Sequence, residues 1–105
     1  MQDIQPTFRA IADPTRRAII GMLADKEMTV GDVASHFDMT RPAVAKHLGI
    51  LREGGLVTVR AEGRERIHML DPHALRPVEQ WIEHFSHFWD TRLSALKTAI
   101  EKDET

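Results

Sequence analysis

No cysteine occurs in the chain, which removes disulfides, thiolate metal sites and thiol redox sensing together. A reducing cytoplasm is the expected setting. No apolar run approaches the roughly 18 residues of a membrane span, and residues 1–10 lack the charged start and apolar centre of a signal peptide. The chain is therefore expected to be soluble and unexported, with no membrane insertion. Repeats, low-complexity stretches and Gly-, Ser- or Pro-rich linkers are also missing, so residues 1–105 read as a single domain. There is no Ser or Cys nucleophile motif and no glycine loop for phosphate, and the chain is too short to enclose a pocket. The expectation is a protein that is not an enzyme and has no cofactor.

A strong excess of one charge is lacking as well, since the net charge is −2. Its distribution is uneven. Residues 41–66 carry Arg41, Lys46, Arg52, Arg60, Arg64 and Arg66 against Glu53, Glu62 and Glu65, a net +3 that leaves −5 for the two flanks. A phosphate backbone meets the local field, so the total does not exclude DNA.

The pattern predicts five helices and one hairpin. Residues 2–12 form a short first helix with Phe8 and Ile11 on one face. Asp13 caps a second helix that Pro14 opens and that runs to about Ala24. Thr29 and Asp32 resemble a capping box for a third, with Val30, Val33, Ala34 and Phe37 at helical spacing. Thr40 caps a fourth over residues 41–53, which buries Val44, Leu48 and Leu51 and ends at Gly54-Gly55. Pro42, Lys46 and Gly49 lie on its far side, flanked by Ala43 and Ala45. Residues 56–60 and 66–70 read as strands joined through Glu62-Gly63, with Val57, Val59, Ile67 and Met69 on a common side. Asp71-Pro72 opens the last helical segment, Pro77 kinks or restarts it, and residues 78–100 run as an unbroken helix.

Helix, tight turn, helix, double glycine and basic hairpin each do separate work on DNA. A small outer face lets the fourth helix enter a major groove, the third braces it, and the hairpin, with Arg60, Arg64 and Arg66, reaches phosphates or the next minor groove. A protein-interaction module built on the same elements has no need of a small basic face there.

The segments FRAIADPTRRAIIGML, TVGDVASHF, TRPAVAKHLGILREGGLV and RAEGRERIHML, in that order, resemble the ArsR/SmtB family of bacterial transcriptional repressors over residues 7–70. The tail VEQWIEHFSHFWDTRLSAL is similar to the last helix of one branch of that family. The resemblance implies a winged helix-turn-helix, mainly α with a small β-hairpin wing, that represses transcription from double-stranded DNA. It also implies that Thr40, Arg41, Pro42, Ala43, Ala45, Lys46 and His47 sit on or beside the DNA-reading helix, with Arg64 near the wing tip.

Metal-sensing members of that family carry Cys-x-Cys on the third helix, where this chain has Thr29 and Gly31. Asp71, His73, His84 and His87 match a second family pattern of carboxylate and imidazole ligands shared across a dimer, which is good zinc chemistry. Against it, Asp71 before Pro72 has a purpose as a helix cap, and the Asp-x-His pair stands one residue early in the family alignment. The expectation is a repressor that needs no metal; the alternative is a zinc- or cobalt-responsive repressor using those four residues.

Trp81, Phe85, Phe88 and Trp89 belong to an apolar stripe with Val78, Ile82, Leu93, Leu96 and Ile100. A domain this small cannot cover it alone, and each large apolar side chain removed from water contributes roughly 1.5–3 kcal/mol. Residues 78–100 are therefore expected to be a dimerisation helix, with Phe8, Ile11, Trp81, Ile82, Phe85, Phe88, Trp89, Leu93 and Leu96 in a homodimer interface that serves a palindromic operator. Nothing in the sequence specifies the inducing signal, whether a small molecule or a protein partner, or the operator.

Overall fold

The computed structural model describes residues 3–103, so the expected start of the first helix at Gln2 lies outside the described residues. Six α-helices and one hairpin follow in order: α1 (Gln5–Ile11), α2 (Pro14–Asp25), α3 (Val30–Ala34), α4 (Arg41–Glu53), β1 (Val57–Glu62), β2 (Glu65–Leu70), a 3-10 turn (Pro72–Leu75), α5 (Arg76–Glu83) and α6 (Ser86–Asp103). Five of the six helices have seven or more residues. The fold is mainly helical with a two-stranded antiparallel wing.

Local chemistry accounts for most boundaries. The Asp13 carboxylate accepts from Arg16 N at 3.0 Å to start α2, and that bond holds the carboxyl below its ordinary pKa. Thr29 and Asp32 form a reciprocal capping box at 3.1 Å in each direction. Thr40 Oγ1 accepts from Ala43 N to open α4, and Gly54 closes it. α3 is shorter than its apolar spacing suggests. After Ala34 the chain tightens into i→i−3 bonds, His36 N to Val33 O and Phe37 N to Ala34 O, each at 3.1 Å.

The core lies where α1 to α4 meet the base of the wing. Ile19, Val33, Val44, Leu48, Leu51 and Leu56 are fully buried there. Thr7 is buried too, and its hydroxyl donates to Gly54 O at 3.0 Å, which pins α1 to the end of α4.

The hairpin register differs from the expected one. The turn is Gly63-Arg64 rather than Glu62-Gly63, and Val57 pairs with Leu70 and Val59 with His68, one residue away from the pairing that would set Val57 and Val59 beside Met69 and Ile67. A one-residue slip exchanges faces. Val57, Val59, His68 and Leu70 therefore share the inner face, while Ile67 and Met69 stand on the other. Met28 forms an isolated antiparallel bridge to β2, its N and O bonded to His68 O and N at 3.1 and 2.7 Å.

His68 is consequently buried, with no hydrogen-bond partner for Nδ1 among the described residues. Burial pushes its pKa below the ordinary value, against the backbone groups of Arg66 and Met28 that favour the charged form. Above about pH 6.5 both folded and unfolded chains hold it neutral. As pH falls below that, the unfolded chain takes up a proton that folded His68 resists, so stability should decline until the lowered folded value is passed. Urea midpoints measured across pH 7.5–4.5 should show this decline, and His68→Leu should flatten it. An unaltered decline in the variant would contradict the assignment.

The last helical segment is two helices rather than the single one expected over residues 78–100. Pro77 restarts the chain as α5 after the 3-10 turn, and the break follows at His84 and Phe85. There Phe85 N bonds Ile82 O at 2.9 Å and the Ser86 hydroxyl bonds Glu83 O at 2.8 Å, a side-chain competitor that bends helices. α6 then projects away from the body. The radius of gyration is 19.1 Å, against about 13 Å for a compact domain of this length.

Candidate nucleic-acid interface

α4 presents its buried stripe to α2 and α3 and leaves Arg41, Pro42, Ala45 and Lys46 exposed, with Thr40 exposed just before them. Ala43, His47 and Gly49 are half-buried at the margins of that face. Small side chains between long cations are what a helix needs to lie close to base edges without colliding with the groove walls. α3 meets the start of α4 through the tight turn, and the chain continues from the other end of α4 into the wing.

The predicted cations are not equivalent. Arg60 donates to Glu27 at 2.7 Å and Glu62 at 3.0 Å and touches the Met69 sulfur at 3.1 Å. Glu27 and then Glu62 raise its pKa further, so it stays charged while two carboxylates cancel its field. The side chains of Arg41, Lys46, Arg64 and Arg66 have no hydrogen bond or ion pair to another described residue. Arg64 stands at the wing tip, where Gly63 takes a φ of +63° that the tight turn requires.

His47 turns inward. Its Nδ1 accepts from Arg16 Nη1 at 3.3 Å and lies 3.9 Å from the Asp13 carboxylate. The same Arg16 donates to Ala10 O at 2.8 Å and Arg9 O at 2.9 Å, and Arg17 donates to Ile11 O at 2.8 Å. Two consecutive arginines of α2 thus bond the carbonyls at the end of α1, and one of them reaches His47 of α4. These roles escape a reading by spacing, because arginines at the start of a helix look like a solvated face. Glu27 as the partner of Arg60 was equally hidden, since the two are far apart in sequence.

The apolar arm is uncovered. Trp81 is 53% exposed, Trp89 60% and Leu93 63%, with Ile82, Phe85, Phe88, Leu96 and Ile100 also exposed. Phe8 meets Trp81 edge-on at 5.7 Å, and Trp81 meets Phe85 at 5.1 Å. Ile11 is half-buried against the core.

The four candidate metal ligands do not converge within one chain. Asp71 Oδ1 accepts from His73 N at 3.1 Å as the cap of the 3-10 turn, and His84 and His87 stand on either side of the break between α5 and α6. Among the described residues no three His, Asp or Glu side chains are close enough to hold a metal ion, and no helix is long and apolar enough to cross a membrane.

A braced helix with a small basic face, followed by a β-hairpin with a free arginine at its tip, defines a winged helix-turn-helix DNA-binding protein. Comparison with known proteins agrees. A helix-turn-helix domain family matches residues 11–60. The chain is 34% identical over 86 residues to the transcriptional repressor SdpR of Bacillus subtilis, covering 82% of this chain and 96% of that protein. It is also 34% identical over 96 residues to the HTH-type transcriptional regulator Rv2034 of Mycobacterium tuberculosis, covering 91% and 87%. Among solved structures, the ArsR family transcriptional regulator RHA00566 superposes with a TM-score of 0.76 at 32% identity, over 85% of this chain and 98% of the other. The chain belongs to the ArsR family of transcriptional regulators, a class of DNA-binding proteins without enzymatic activity.

Proposed function

We propose that the protein is a cytoplasmic repressor that binds an imperfect palindrome as a homodimer, placing one α4 in each of two successive major grooves. The observation that carries the reading is the coexistence, on one small chain, of an exposed basic helix face and an aromatic arm that nothing covers. Joining two arms buries the stripe and supplies the second reading helix that a two-fold operator needs. Repression, the activity named for SdpR, follows when such a dimer occupies a promoter.

Lys46 and Arg64 carry separable parts of the interaction. Lys46→Ala should weaken operator binding by about tenfold or more, since it stands at the centre of the reading face. Arg64→Ala should weaken binding more evenly across sequences and lower the slope of log affinity against log salt by about 1.8, one phosphate contact in each of the two half-sites. Fluorescence anisotropy on promoter fragments at several salt concentrations checks both. Parent-like behaviour of both variants would sink the groove assignment.

The repressor works without a metal. Asp71 is engaged as a cap, and His84 lies in the break of the last helical segment while His87 is on α6. Operator affinity should stay flat on titration of zinc or cobalt into the dimer. Submicromolar metal binding that costs tenfold in DNA affinity and is removed by His84→Ala would contradict this and favour a metal sensor. With a flat response, the effector is a small molecule or a protein partner.

A further inference from the structure

Arg41 and Arg66 line one cleft, between the first turn of α3 and the start of β2, together with Thr29, Val30, Gly31 and Glu65. Arg41 is the first residue of α4, yet its guanidinium lies back across Gly31. A Cβ at Gly31 would stand 2.9 Å from Arg41 Nη2 and 3.2 Å from Cζ, so only a residue without a side chain leaves that position open. Arg66 reaches the same cleft from the wing. Neither arginine is ion-paired among the described residues, Glu65 included, whereas Arg60 on the neighbouring strand is held by two carboxylates. Two guanidiniums in one cleft repel each other, and an anion that accepts from both relieves the repulsion.

We propose that Arg41 and Arg66 together hold a single phosphodiester of the DNA backbone in this cleft, and that Gly31 is the residue that lets Arg41 reach it. The inference rests on the reading of the chain as DNA-binding and deepens it. A guanidinium presents a planar fork of donors that matches two phosphate oxygens, and two forks from different elements grip one phosphate from two sides. Because one fork belongs to α4 and the other to the wing, the shared phosphate fixes the angle between them on the duplex. It sets register and carries no base readout.

Ethylation interference on the operator tests this directly, because ethylating one phosphate removes its charge without altering the bases. The parent should show one phosphate in each half-site whose ethylation weakens binding by about tenfold. Arg41→Ala and Arg66→Ala should both lose sensitivity at that same phosphate. Counted over the two half-sites, the double variant should lower the salt slope by about 1.8, where two separate phosphates per half-site would lower it by about 3.6. Gly31→Ala should also weaken the parent's binding by several-fold and add nothing to Arg41→Ala. It should leave the fold intact, because alanine favours the helix and the group it meets is the movable end of a side chain. Circular dichroism confirms that point. Loss of sensitivity at two different phosphates, or a Gly31→Ala protein that binds like the parent, would overturn the shared site while leaving DNA binding intact. A folded parent that retained no DNA at all would overturn the proposed function and this inference with it.

Discussion

Trp89→Glu should yield a folded monomer whose operator affinity is lower than the parent's by about a hundredfold or more. Trp89 is 60% exposed and borders, with Trp81, Ile82, Phe85 and Phe88, a hollow of about 270 Å³ on the projecting arm. None of these five belongs to the buried core, so the charge does not enter the body of the domain. In a dimer it would enter twice. Each protomer would lose roughly 1.5–3 kcal/mol of apolar burial and would place a carboxylate in a dry interface, which costs more again. One half-site must then bind without its tethered twin, and linked modules exceed single ones by about 10²–10⁴ in avidity. Trp89 is a cleaner probe than Trp81, whose ring packs on Phe8 of α1. Sedimentation velocity and anisotropy read the two outcomes. A Trp89→Glu protein that sediments as a dimer and binds the operator like the parent would refute the role of the arm.

Gly54→Ala should destabilise the protein, while the same change at Gly21 stabilises it. Gly54 has a φ of −79°, so its backbone suits any residue. The obstacle is steric. A Cβ there would lie 2.8 Å from the Pro6 carbonyl oxygen and 3.0 Å from the Ala10 side chain, neither of which can swing away. α1 must lift from α4, and the Thr7 hydroxyl loses its bond to Gly54 O. Overpacking of this kind costs roughly 1–3 kcal/mol, and the buried hydrogen bond adds about 1 kcal/mol. At Gly21, on the exposed side of α2, nothing lies within 4 Å, and alanine should stabilise the helix by about 0.5–1 kcal/mol. Thermal midpoints should move in opposite directions, by about 4–8 °C per kcal/mol. A Gly54→Ala protein as stable as the parent would mean that α1 does not sit where the close approach places it.

The parts of this fold legible in the sequence are those governed by local chemistry. α4 spans Arg41–Glu53 as expected because Thr40 and Gly54 bound it and its apolar stripe is regular. The start of α2 and the capping box of α3 were legible for the same reason. The wing was recognised, but its pairing was not, because the expected common side of Val57, Val59, Ile67 and Met69 needs a register one residue away from that of the two-residue turn Gly63-Arg64, and only pairing across the strands decides it. That slip hid the burial of His68. The break at His84 and Phe85 carries no proline or glycine, so spacing does not reveal it. At the interface, the exposed face of α4 could be read from a helical wheel. The neutralisation of Arg60 by Glu27, the inward turn of His47 and the space above Gly31 arise from contacts between distant segments.

The central claim is that two copies of α4 and two wings read a two-fold site on DNA. A hydroxyl-radical footprint on promoter fragments retained by the purified protein tests it most directly. The account predicts protected segments on both strands related by two-fold symmetry, with half-site centres one helical turn, about 34–36 Å, or a multiple of it apart. A single asymmetric protected segment, or retention of no fragment above background, would contradict it.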